Sequence, residues 1–299
     1  MIGRLIKYGL KIFLLKRKLY KPPIIIGGCA RSGTSLLCII LSAHPKIYSL
    51  PYEQLVESFS SQAKIKRNWA LLTFDDGYSQ CFSTIRPILL KHKLPCIFFI
   101  TTDFIDNKDM FYRNKISLCV ERIEALGNLE LKLLYSKIND CLHGQHIQDS
   151  ASFVQWIKLM HFSQRDCFID EICHILTVDV KQYIATHRPY LTSEEIKCLV
   201  SDGFTIGAHS KRHPQLRLLC DEEIEEEIAG SCKIIMDLTK EENVPFAFPF
   251  GTGINRRLLK DLTSKYKFVG LFFDASLQKN LKDEDFVINR IICDSHIPH

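Results

Sequence analysis

The stretch Leu71-Leu72-Thr73-Phe74-Asp75-Asp76-Gly77-Tyr78 constrains the fold of this chain more than any other. The apolar run from Ala70 to Phe74 reads as a buried strand, and it stops at two adjacent carboxylates followed by a glycine that can take whatever backbone angle a turn requires. Side chains alternate between faces along a strand, but past the strand end at Asp75 that rule lapses, so both acids can address one pocket. Two like charges held together are unfavourable without a cation. A divalent ion relieves the repulsion and leaves one acid to ligate it and the other to accept a proton. An Asp-Gly turn between a strand and a helix uses the same residues, so the motif alone decides nothing.

A second stretch carries the argument further. Phe204 to Ala208 reads as another short strand, which places His209 just past its end and His213 four residues on. Residues four apart share one face of a helical turn, about 5–6 Å between Cβ atoms, a separation that suits two imidazoles on one zinc ion. Pro214 disfavours helical angles at the residue before it, so His213 is expected to close a single turn rather than continue a helix. Acids after one strand and paired histidines after another, meeting at one edge of a sheet, are how barrel enzymes assemble a site.

Thr73-Phe-Asp-Asp-Gly77, then His209-Ser-Lys-Arg-His213, then Phe246-Ala-Phe-Pro-Phe-Gly251 resemble the motifs of the polysaccharide deacetylases with NodB homology, carbohydrate esterase family 4. The likeness runs from about Trp69 to Arg290. It includes Pro87 to Pro95 before an expected strand Cys96–Thr102, and Leu191 to Glu195 before the histidines. The resemblance implies an α/β fold, an incomplete and distorted (β/α) barrel. It also implies a metal-dependent enzyme that hydrolyses N-acetyl groups of an amino-sugar polysaccharide or glycoconjugate. Residue by residue, it makes Asp75 the catalytic base and Asp76, His209 and His213 the ligands of a divalent metal, zinc, with no further cofactor. It makes the backbone N–H of Phe250, after Pro249, a donor to the oxyanion, a role that needs no particular side chain. The chain departs from the family at Ala247, where an arginine often pairs with the catalytic aspartate; Arg290, in Ile288-Asn-Arg-Ile-Ile292, is the expected substitute. For the general acid, His296 is the nearest candidate and His299 the next.

Domain organisation is expected as a basic tail over residues 1–21, a short β-α fragment over 22–62, and the deacetylase-like domain over 63–299 with a helical insertion at about 108–188. The tail holds Arg4, Lys7, Lys11, Lys16, Arg17, Lys18 and Lys21 with no acid, which leaves 32 basic against 34 acidic residues elsewhere. The basic excess therefore belongs to the tail, and the main body offers nothing to nucleic acid. Wound as a helix, the tail sets Arg4, Lys7, Lys11 and Lys18 against Ile2, Ile6, Leu10 and Phe13, a pattern that fits either a membrane surface or a docking face on the protein. Its lysines interrupt every apolar run before signal-peptide or spanning length. With twelve scattered cysteines and no C-x-x-C pair, the reading is of reduced core thiols in a cytoplasmic protein, with peripheral membrane contact through residues 1–21 one of the two uses open to the tail.

Residues 22–56 resemble a different family. Gly28-x4-Gly33-Thr34-Ser35 has the spacing of a phosphate-cradling loop with threonine in place of the usual lysine, and with His44-Pro45 to Glu53 it is similar to the phosphosulfate loop opening a sulfotransferase. That domain needs far more chain than precedes Trp69, so a remnant is expected, with its loop as scaffold. Ile24-Ile25-Ile26 is too apolar for water, and one strand with one helix cannot bury it. The strand should therefore join the barrel sheet near Ala70–Phe74, covered by a helix from Thr34 to about Ser42.

Elsewhere Ser79 to Lys93 reads as helix, and Ile116, Val120, Ile123 and Leu126 give the insertion a helical period. Its histidines 143, 146, 161, 174 and 187 follow no ligand spacing, and the insertion is expected to wall or cover the site. Thr192 to Glu195 is a capping box for a helix ended by Gly203. The acids of Asp221 to Glu227 read as the solvated face of a helix whose Ile224, Ile228, Ile235 and Leu238 face inward. Two other classes compete with the deacetylase reading. One is a sulfotransferase-related nucleotide-binding protein resting on residues 22–56. The other is an inactive carbohydrate-binding module of deacetylase type, since Ala247 and the unassigned acid weaken the machinery.

Overall fold

A computed structural model describes residues 24–28, 48–60, 69–141, 147–160, 162–251, 253–274 and 287–292. Within them lie the strands β1 (Ile24–Gly28), β2 (Tyr48–Ser49), β3 (Trp69–Phe74), β4 (Cys96–Ile100), β5 (Thr205–Ala208), β6 (Val244–Ala247), β7 (Val269–Asp274), β8 (Val287–Asn289) and β9 (Ile291–Ile292). They form one sheet in the order β8-β7-β6-β5-β4-β3-β1-β9, with β2 on β3 off that path. The pairings are parallel. Helices connect the successive strands from β3 to β7, as a parallel sheet demands.

The two ends of the sheet are halves of one segment. Only Arg290 separates β8, which pairs with β7, from β9, which pairs with β1 through Ile26↔Ile291 and Gly27↔Ile292. The described strands thus curl on themselves as the incomplete, distorted barrel expected. β1 sits where its apolar sequence calls for: it pairs with β3 over its full length, from Ile24↔Ala70 to Gly28↔Phe74.

Alternation divides the strand residues between two cores. Leu71, Ile97, Phe99, Ala247, Phe273 and Ile288 fill the interior, joined by Leu50, Tyr52 and Leu55 from the segment leading into helix Tyr52–Ser60 and from that helix. Leu72, Phe74, Phe98, Ile206, Phe246 and Phe272 face outward onto the surrounding helices. Gly207 is required inside: a Cβ there would lie 2.5 Å from the Phe99 ring and 2.7 Å from the Pro245 carbonyl oxygen.

The insertion is helical as its period predicts, with helices Tyr112–Glu124, Asn128–Cys141, Ser150–Leu159, Phe162–Ile175 and Val180–His187. They bury Ile116, Ile123, Phe153, Ile157, Ile169 and Ile172 in a core of their own. The Thr192 capping box closes with Glu195 at the head of helix Ser193–Ser201. No helix among the described residues is long and apolar enough to cross a membrane.

Several expectations need correction. The strands after β3 are shorter than expected: β4 stops at Ile100, before the 3-10 turn Thr102–Asn107, and β6 stops at Ala247, so Pro249 and Phe250 stand in a turn. Ser79–Lys93 is wound as a π-turn, Cys81–Ile85, before helix Arg86–His92. Among the described cysteines 81, 96, 119, 173 and 232 are buried, but 167, 198 and 220 are exposed, contrary to a uniformly core role. Glu227 is not on a solvated face. It lies three residues after Ile224 and one before Ile228, so helical spacing turns it inward with them, and it is fully buried. The tail 1–21, the loop residues 29–35, the segment 34–42 expected as a helix, His143, His146, His161, His296 and His299 lie outside the described residues.

Candidate active site and metal centre

The site grows from the end of β3. Leu71 and Thr73 point inward, and Asp75 keeps that parity, so face alternation persists one residue beyond the strand. It breaks at Asp76, whose φ of 72° swings its side chain away, and Gly77 follows at φ 75°. A side chain at Gly77 would also meet Ile100, since its Cβ would lie 2.9 Å from Ile100 Cγ2. Two successive left-handed residues therefore divide the acids.

Asp75 is held by Arg290. The Nη1 of Arg290 donates to Asp75 Oδ1 at 2.6 Å and to Thr73 Oγ1 at 3.1 Å, while Nη2 donates to Asp75 Oδ2 at 2.9 Å. The guanidinium lies 5.1 Å over the Phe99 ring. A two-point fork fixes both the position and the rotation of the carboxylate. Arg290 shares the inward parity of Ile288, so the cation that Ala247 cannot supply comes from the last strand segment.

Asp76 faces the histidines. Its Oδ1 lies 3.5 Å from His209 Nε2 and 3.3 Å from His213 Nε2. His209 follows β5, with its backbone N–H donating to the Ile100 carbonyl at 2.9 Å. Its Nδ1 stands 2.8 Å from the Ala247 carbonyl oxygen, which can only accept, so Nδ1 carries the proton and Nε2 presents a lone pair to Asp76. Burial above all pushes the His209 pKa down, keeping the neutral form that ligates metals. Burial alone would raise the pKa of Asp76, but its hydrogen bond to His213 and the electropositive surroundings, Arg113 among them, outweigh that and hold it below the ordinary carboxylate value.

No helical turn joins the histidines. Ser210 and His213 both take left-handed angles, φ 66° and 60°, with Ser210 Oγ accepting from the His213 N–H at 2.9 Å. Pro214 disfavours the helical angle at His213, and the residue takes a left-handed angle there instead of closing a turn. The His213 ring is wedged between Phe111 and Phe250, with centroids 4.6 and 4.9 Å away, and Arg113 lies 4.6 Å over Phe250. The insertion thus walls the site through Phe111 and Arg113.

The donor set fits a cation. One ligand atom each from Asp76, His209 and His213 lies within 4.8 Å of the others. Bonds of about 2.0–2.1 Å at tetrahedral angles require ligand atoms roughly 3.3–3.4 Å apart, close to the two separations from Asp76 Oδ1.

Of the residues singled out from the sequence, Asp75, Asp76, His209, His213, Arg290 and Phe250 are brought to one end of the barrel, and His296 is outside the described residues. Sequence reasoning missed Thr73, Phe111, Arg113 and Glu227. Parity with Asp75 was a signal for Thr73, and helical spacing from Ile224 was one for Glu227; Phe111 and Arg113 carried none.

A family model described as polysaccharide deacetylase matches residues 62–132 and 169–270, together more than half of the 299 residues, and the unmatched gap falls inside the helical insertion. No curated protein matches the sequence. Among solved structures, IcaB from Ammonifex degensii is similar with a TM-score of 0.55 at 12% identity, covering 91% of this chain and 92% of that one. The Streptococcus pyogenes deacetylase PplD in complex with acetate gives 0.52 at 13%, covering 92% of both chains. The BpsB deacetylase domain from Bordetella bronchiseptica gives 0.53 at 13%, covering 90% and 95%. At such identities these likenesses speak for the fold.

Proposed function

Because the chain belongs to the polysaccharide deacetylase family and is thereby a hydrolase of N-acetyl amide bonds, we propose that it releases acetate from an amino-sugar polysaccharide or glycoconjugate with a zinc ion held by Asp76, His209 and His213. The observation that carries the reading is the division of two neighbouring acids, one forked by Arg290 and the other facing two histidines.

When bound, the cation would supply Lewis-acid polarisation of the acetamide carbonyl and a lowered pKa for attacking water. Asp75, with both oxygens oriented by Arg290, is placed to take the proton from the attacking water. The Phe250 N–H, set in the turn after β6, donates to the oxyanion as the carbonyl becomes tetrahedral. Phe111 and Phe250 pack His213 in place and exclude water from that side. In this reading His296 returns a proton to the departing amine. The test is acetate release from a panel of N-acetylated oligosaccharides and glycoconjugates. Turnover that is abolished by a chelator and restored by zinc supports the reading, and turnover indifferent to chelation sinks it.

A further inference from the structure

Glu227 is a fully buried carboxylate outside the reacting groups. Burying such a charge is unfavourable unless every lone pair finds a donor. Here the donors come from the loop between the two histidines. Glu227 Oε2 accepts from the Lys211 N–H at 2.8 Å and from the Arg212 N–H at 3.1 Å, and Oε1 accepts from Arg212 Nε at 3.0 Å. The loop has no regular hydrogen bonding of its own and contains two left-handed residues, so its shape must be imposed by its neighbours.

The imposition comes from two sides. The 3-10 turn Thr102–Asn107 and its approach donate from Thr102 N to the Ser210 carbonyl at 3.1 Å and from Asp103 N to the Lys211 carbonyl at 3.0 Å. On the opposite side, Glu227 takes up the amides of the same loop. Gly230, further along the Glu226–Gly230 π-turn, lies against the same loop, with its Cβ position 3.2 Å from Lys211 Cδ.

We propose that Glu227 is a positioning residue for the metal centre: by gripping the amides of Lys211 and Arg212 it sets His209 and His213 to converge on Asp76 before any cation arrives. This inference rests on the metal reading above. Buried groups that orient metal ligands typically contribute 10–100-fold in affinity.

The test is calorimetric titration of the metal-free protein with Zn²⁺, comparing wild type, Glu227→Gln and Arg212→Gln. The expected result is a dissociation constant raised about 10–100-fold in Glu227→Gln with an unchanged far-UV spectrum. In Arg212→Gln, which keeps the amide bonds, it should stay within about threefold, well inside the loss that removing an orienting group brings. Equal constants in wild type and Glu227→Gln would overturn the proposal, as would an equal loss in Arg212→Gln, which would assign the effect to the ion pair. A wild type that binds no zinc would instead overturn the metal reading itself. Should Glu227→Gln fail to fold, amide exchange in the metal-free wild type decides. Slow exchange at Lys211 and Arg212 is expected, and fast exchange that slows only on adding zinc would contradict prior positioning.

Discussion

Arg290 grips Asp75 with both terminal nitrogens, at 2.6 and 2.9 Å, from the single residue that separates the last two strands of the sheet. The segment that pairs with both ends of the sheet therefore also orients Asp75.

The first prediction concerns that fork. Arg290→Lys keeps the charge but offers a point ammonium in place of a planar pair of donors. Deacetylation should fall by about 10–100-fold, the usual loss when a group orienting a site residue is removed, while the affinity for zinc stays as in wild type. Steady-state kinetics alongside zinc titration check this; full activity in the lysine variant would show that the two-point contact is dispensable.

Deleting residues 1–28 removes β1, leaving β3 and β9 with unpaired edges where Ile24↔Ala70 and Ile26↔Ile291 now meet. The truncated protein should melt at lower temperature, bind a hydrophobic dye, and lose turnover as the Arg290 segment comes free. A melting temperature and activity equal to wild type would show that β1 is an accessory to the fold.

The barrel interior gives a third prediction. Gly207→Ala forces a methyl group against the Phe99 ring and the Pro245 carbonyl, and overpacking of this kind destabilises by about 1–3 kcal/mol. Denaturant unfolding should show a lower midpoint with an unchanged slope. No change would mean that Phe99 can swing aside without loss.

Much of this was legible in the sequence because the two motifs pair strand ends with chemically committed side chains. The apolar run before Asp75 and the one before His209 each predicted a strand, and the apolar Ile24-Ile25-Ile26 called for a place in the sheet that β1 occupies. What was not legible depends on backbone angles and on tertiary contacts. The division of Asp75 from Asp76 comes from left-handed angles at Asp76 and Gly77, and the histidine loop from such angles at Ser210 and His213, which composition does not announce. Glu227 looked like one more acid in a charged run, although its spacing from Ile224 and Ile228 put it on the apolar stripe. Phe111 and Arg113 reach His213 and Phe250 through tertiary contacts that no local pattern announces.

The central claim is that two adjacent carboxylates hold different offices, and one comparison tests it most directly: zinc titration and acetate release measured side by side on Asp75→Asn and Asp76→Asn. Asp75→Asn should bind one equivalent of zinc as wild type does and lose turnover by about 10²–10⁴-fold, the usual contribution of a general base. Asp76→Asn should lose tight zinc binding itself, because two imidazoles are too few ligands to hold the ion. Equal loss of zinc in both variants, or turnover preserved in Asp75→Asn, would contradict the account.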